Sequence, residues 1–282
     1  MNGTGRRLSY SFLSALPFLL VVVAGARPLR TSGVYQGVGI ALVALILVAS
    51  WLLGLRVLFS GTSEGRGVAL AGSLFILPWA VIALLWVGIG APFQATPAEN
   101  QMRFLVLAGS SIVMTSAFIA LKESLSGAGE RLHSTLGFAA CMTAGMAYLL
   151  CLSLSFGVSS VRLRSGKAPA VGDVIANFYS ILEFIACVST YLATAAFATS
   201  LGKAGWLGRA AARAYVGASM LLLLFLLMRG IAYPEISAAT APWYTQPGVI
   251  AGIPAVPWLM PGLFGVVLLR RAGDEGGDRG RA

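Results

Sequence analysis

Two ionisable residues stand inside apolar segments, where most sequences would place none: Glu183 within residues 174–200, and Arg229 within residues 214–233, just after the run Leu221 to Met228. A charge at membrane depth is costly, so such a residue serves by default as a proton relay, an ion or substrate contact, or a counter-ion. Glu183 lies about nine residues into its segment, or about 13 Å deep at 1.5 Å per residue. That is close to the midplane of a hydrocarbon core about 30 Å thick.

Glu183 has polar company. Asn177, Ser180, Glu183, Cys187, Thr190 and Thr194 follow one another at steps of three or four, so on a helix they share one face that turns away from lipid. One reading makes this stripe the wall of a polar cavity, with Glu183 carrying a proton, binding a cation or touching a substrate. The other makes Ser, Thr and Cys the small residues that let helices approach closely, with Glu183 held inside the bundle by a proton or hydrogen bonds. Arg229 also has two readings. Its long side chain reaches the outer interface near Tyr233 and Glu235 by snorkelling, or it meets Glu183 from the next, antiparallel helix across a depth difference of about 7 Å.

Pro254, Pro257 and Pro261 stand at steps of three and four, with Gly252 just before them. Each interior proline removes a helical hydrogen bond and crowds the carbonyl four residues back. The pattern predicts a break in α-helical bonding between Gly252 and Gly262. Broken helices at membrane depth occur inside protein or beside water-filled cavities, and in transporters they carry binding sites; a kinked span at the bundle edge is the structural alternative. Gly137, Cys141 and Gly145 form a small-residue ridge suited to close helix contact. Trp243, Tyr244 and Trp258 fit an interfacial aromatic belt.

Other chemistries lack their residues. The single histidine, His133, is in a loop, which excludes paired axial haem ligands and argues against a histidine-based zinc site. There is no phosphate-binding Gly-rich Lys-Ser/Thr loop, no His-Glu-x-x-His, no Gly-x-Ser-x-Gly and no aspartate-rich pair for magnesium diphosphate. Cys141, Cys151 and Cys187 all lie in apolar segments, without disulfide or zinc spacing. No catalytic residue, cofactor or metal is expected, and transport or a scaffold role fits better than catalysis.

The elements that must position these residues are membrane helices. Of 282 residues, 57% are hydrophobic and 11% charged, and the mean hydropathy is +0.83; soluble domains carry about 25% charged residues. Runs near the roughly 20 residues that span a bilayer predict an all-α, polytopic integral membrane bundle of eight spans, near residues 8–26, 37–55, 68–91, 104–121, 136–158, 174–200, 214–233 and 248–269. The first reads as a retained helix because Arg27-Pro28 follows it where a cleavage site would stand. Short Gly-, Ser- and Pro-rich connectors separate the spans. Residues 1–269 form one transmembrane domain, and residues 270–282, rich in glycine and charge, a disordered tail.

The net charge of +10 sits in short connectors beside the spans, which is topogenic rather than a nucleic-acid footprint. Alternate connectors with the termini hold thirteen basic residues against six on the other side, which places both termini in the cytoplasm; Arg162, Arg164 and Lys167 oppose this locally. Pro78-Trp79 and Pro257-Trp258 are alike but do not form a repeat. The Ala, Gly and Arg usage suggests a bacterial chain in the plasma (inner) membrane. The leading expectation is a small-solute or ion transporter with a polar site between spans six, seven and eight. The alternatives are a membrane subunit of a larger complex that binds a quinone or lipid or anchors partner proteins, and a lipid-modifying enzyme with Glu183 as base. The lipid bilayer, other membrane subunits or a second copy are the expected partners; nucleic acid is not.

Overall fold

The computed structural model describes residues 3–25, 32–90, 95–167, 171–230, 247–253 and 255–278. The chain is an all-α membrane bundle with no strand among the described residues. The helices are α1 (Gly3–Gly25), α2 (Ser32–Ser50), α3 (Val57–Ser60), α4 (Ser63–Ile82), α5 (Pro97–Gly127), α6 (Leu132–Ser165), α7 (Gly172–Lys203), α8 (Arg209–Arg229), α9 (Pro247–Ala251) and α10 (Leu259–Asp278). Two wider π-helical turns extend α2 through Trp51–Leu55 and α4 through Ala83–Ile89.

Six of the described helices are long and apolar enough to cross a bilayer: Gly33–Leu55, Ser63–Ile89, Pro97–Gly127, Leu132–Ser165, Gly172–Lys203 and Arg209–Arg229. α1 and the α9 to α10 stretch, the first and last of the eight expected spans, are not in that set. The last fails for a visible reason: α9 has only five residues, and α10 carries Arg270, Arg271 and Asp274.

Helix starts follow local chemistry. At the head of α5, Thr96 and Glu99 satisfy each other's backbone N–H groups, with Thr96 N donating to Glu99 Oε2 at 2.7 Å and Glu99 N to Thr96 Oγ1 at 3.3 Å, a capping box. Thr62 accepts from Gly65 N at the start of α4, and Glu130 accepts from His133 N at the start of α6. α8 ends where Gly230 takes the left-handed φ of 73° and its N–H bonds back to Leu226 and Leu227. Glycine carries no side-chain penalty in that conformation.

The chain divides into two compact units, Met1–Ser124 with Gly262–Ala282, and Leu125–Pro261, where a single domain over residues 1–269 is the sequence expectation. Both ends of the chain belong to the first unit. Its core is aromatic: Phe75 meets Phe118 edge-on at 4.8 Å and Phe264 at 6.4 Å, contacts worth about 0.5–1.5 kcal/mol each beyond their burial.

Past Arg270 the chain continues α10 as helix to Asp278, where the N-terminal helix meets it; residues 279–282 of the expected tail lie outside the described residues. Arg6 donates to Arg270 O at 2.7 Å and pairs with Asp274 at 2.8 Å, while Arg270 lies 4.8 Å over the Tyr10 ring. Arg103, expected in a connector, lies within α5 and is fully buried. Its guanidinium donates to Gly90 O and faces the Trp86 ring at 5.2 Å, while its Nε and Nη1 make no hydrogen bond.

Candidate functional site

The second unit holds Glu183 and its neighbours. α7 presents Glu183, Cys187 and Tyr191 at successive steps of four residues, which puts all three side chains on one face. Glu183 is 4% exposed, and Cys187 and Tyr191 are fully buried. Against that face α6 sets Tyr148, whose hydroxyl lies 3.6 Å from Cys187 Sγ, and Cys151, whose thiol donates to Tyr179 O at 3.7 Å. Gly137, Cys141 and Gly145 of α6 are the ridge that permits this approach: a Cβ at Gly137 would stand 2.7 Å from the Phe197 ring of α7.

The end of α9 supplies backbone. Tyr191 Oη donates to Ala251 O at 2.8 Å, and Cys187 Sγ lies 4.0 Å from Gly252 O. α-Helical bonding stops at Ala251 and resumes at Leu259. Between them the backbone bonds link residues three apart, Ile253 N to Ile250 O, Val256 N to Ile253 O and Leu259 N to Val256 O. Pro257 lies in this run of turns. Pro261 lies in the first turn of α10, where a missing N–H costs nothing, so it starts a helix rather than breaking one. Pro254 lies outside the described residues.

Arg229 is the last residue of α8, not a turn inside it, because Gly230 closes the helix early. A cation there is favoured by the carbonyl end of the helix. Its guanidinium is folded over Gly252 so tightly that a Cβ at that position would collide with it. Arg229 acts electrostatically on Glu183, yet the two do not close to ion-pair distance. Glu183 Oε2 is buried with no hydrogen-bond partner, while the carboxylate also acts on Tyr148, Cys151 and Cys187. Leu223, Leu226 and Met260 form the apolar cluster against which Cys187 and Tyr191 pack.

No protein-family model, curated protein or solved structure matches this chain. The site must therefore be understood from its own atoms.

Along the expected stripe, Glu183, Cys187, Thr190 and Thr194 are buried. Asn177 is exposed. Ser180, Thr190 and Thr194 turn their hydroxyls back onto Ala176 O, Ala186 O and Thr190 O at 3.0, 2.7 and 2.8 Å, which satisfies them within α7. Glu183, Cys187 and Arg229 come together. Tyr148 and Tyr191 join them unanticipated, although their spacing held the signal: Tyr191 is four residues from Cys187, and Tyr148 extends the Cys141–Gly145 ridge by three. Trp258, expected in an interfacial belt, instead packs on the Tyr148 ring at 5.1 Å; Trp243 and Tyr244 lie outside the described residues. No group of three metal-ligating side chains occurs among the described residues.

Proposed function

We propose that this multi-pass membrane protein is a small-solute or ion transporter, with Glu183 as the residue that binds and releases a proton or a cation during the cycle. The observation that carries the reading is a carboxylate, 4% exposed, with one oxygen buried and without a hydrogen-bond partner. A buried charge without partners costs several kcal/mol, so the carboxyl must be neutralised by a proton, by a cation, or by movement of Arg229 into contact. The first two change the local charge, and the third moves a side chain. The arrangement around it supports the same reading: the helix interrupted after Ala251 packs its end against Cys187 and Tyr191, one and two turns along α7 from the carboxylate, and interrupted helices carry binding sites in transporters.

The test is Glu183→Gln in the full chain reconstituted in proteoliposomes. Gln retains shape and hydrogen-bonding groups while deleting charge and titration. The expected outcome is normal expression, thermal stability within about 1 kcal/mol and loss of pH-gradient-driven or ion-gradient-driven uptake across a panel of small solutes. Unchanged uptake of a solute that the unmodified protein carries would contradict the proposal.

A further inference from the structure

The opposite end of α7 carries a different chemistry. Lys203 closes α7, Arg209 opens α8, and the turn between them is pinned by buried Trp206 and Leu207. The helices cross closely there: a Cβ at Gly202 would stand 2.7 Å from Ala212 Cβ. Small residues at the crossing leave a groove of about 650 Å³, lined by Thr199, Gly202, Lys203, Arg209, Arg213 and Gly217, with Ala212 and Val216. Its volume lies within the range of about 300–1,000 Å³ usual for small-molecule sites.

Three of the lining residues are cationic and none is anionic. One acid is linked to Lys203 through a histidine: the Glu130 carboxylate accepts from the backbone N–H of His133 and lies 3.0 Å from its ring Nδ1, and that ring lies 3.4 Å from Lys203 Nζ. Glu130 thus offsets part of the Lys203 charge and leaves Arg209 and Arg213 uncompensated by any lining residue. α8 begins at Arg209 after Gly208, which offers no side-chain cap, so the positive end of its dipole faces the negative carbonyl end of α7 at Lys203, and the net positive charge of the groove comes from its basic side chains. The ligand chemistry this selects is a phosphate ester, which arginine binds bidentately.

Phosphate esters occur free in water or at the head of a lipid, and the surface beyond the groove distinguishes them. On α8 the turns that follow Val216 and Gly217 expose Met220, Leu221 and Leu224 at 48%, 51% and 52%, and α7 exposes Leu192 at 43%. Both helices are membrane spans, so a headgroup in the groove would lay its acyl chains along apolar side chains. We infer that the groove between the end of α7 and the start of α8 binds the headgroup of an anionic phospholipid.

The full chain in detergent, mixed with phosphatidylglycerol or phosphatidylcholine and weighed intact by native mass spectrometry, tests this. One phosphatidylglycerol should be retained per chain, at least about tenfold more tightly than phosphatidylcholine, since each basic residue near a membrane surface contributes several-fold to anionic lipid binding. Lys203→Gln, Arg209→Gln and Arg213→Gln together should abolish the preference. Arg162→Gln, Arg164→Gln and Lys167→Gln, which neutralise exposed residues at the far end of α6, should leave it intact. If the first triple variant does not fold, Arg213→Gln alone should still weaken retention several-fold. Equal retention by the α7–α8 variants, or equal loss in the α6 control, would overturn the inference. Competition by glycerol 3-phosphate as strong as that of the lipid would overturn it in favour of a soluble phosphate.

Discussion

Arg103 in the first unit and Glu183 in the second are both ionisable residues taken out of water, and their surroundings differ in kind. Arg103 has the Gly90 carbonyl as acceptor and the Trp86 ring as a π face, with its Nε and Nη1 making no hydrogen bond. Glu183 keeps a buried oxygen without a hydrogen-bond partner, and Arg229 acts on it electrostatically. A charge kept for structure is answered by neighbours, because an unanswered one costs several kcal/mol. A charge kept for function is left something to bind. Under the proposed function, the first residue serves stability and the second activity.

The largest expected effect is on the structural side of that contrast. Arg103→Ala removes a fully buried long side chain with its hydrogen bond and cation–π contact, and should lower stability by about 2–4 kcal/mol, measured by thermal unfolding in detergent. Uptake per folded molecule should not change. Loss of uptake in a variant of normal stability would break the comparison.

Gly252→Leu comes next. The added side chain meets the Arg229 guanidinium, so it should cost about 1–3 kcal/mol by overpacking and also suppress uptake, since it displaces the arginine that faces Glu183. Stability lost with uptake preserved would show that Arg229 only caps α8.

The smallest effect lies outside the spans, at Glu130. Burial alone would raise its carboxyl, but the His133 backbone N–H and ring, helped by Lys203, hold it below the ordinary value of 4.5. A depressed carboxylate contributes stability that is present above its unfolded value and is lost as the pH falls through its folded value. The unmodified protein should therefore lose a small increment of thermal stability below about pH 4.5, and Glu130→Gln should flatten that part of the pH profile. An identical profile for both would remove the Glu130–His133–Lys203 link from the fold.

The legible part of this molecule is what depends on neighbours in sequence. Hydropathy locates the six long spans because each lipid-facing helix must be apolar along its own length, and Glu183 stands out because nothing else in residues 174–200 is charged. The illegible part depends on residues far apart. Arg103 looks like a connector residue until the chain folds back to bring Gly90 and Trp86 around it. The end of α10 looks like a solvated tail until Arg6 bonds to Arg270 and Asp274 across the whole sequence. Thr190 and Thr194 fit a polar stripe by spacing, but their hydroxyls are already spent on α7 carbonyls, and spacing alone does not distinguish a satisfied hydroxyl from an open one.

The most direct measurement of the central claim is a double-mutant cycle on thermal stability, with Glu183→Gln, Arg229→Gln and the pair together. If Glu183 is held for function and stands apart from Arg229, each single change is mild and the coupling stays under about 1 kcal/mol, as for exposed pairs. If the two form a structural ion pair, Glu183→Gln alone costs about 3–5 kcal/mol by stranding a buried cation. Rescue of that loss by adding Arg229→Gln would contradict the account.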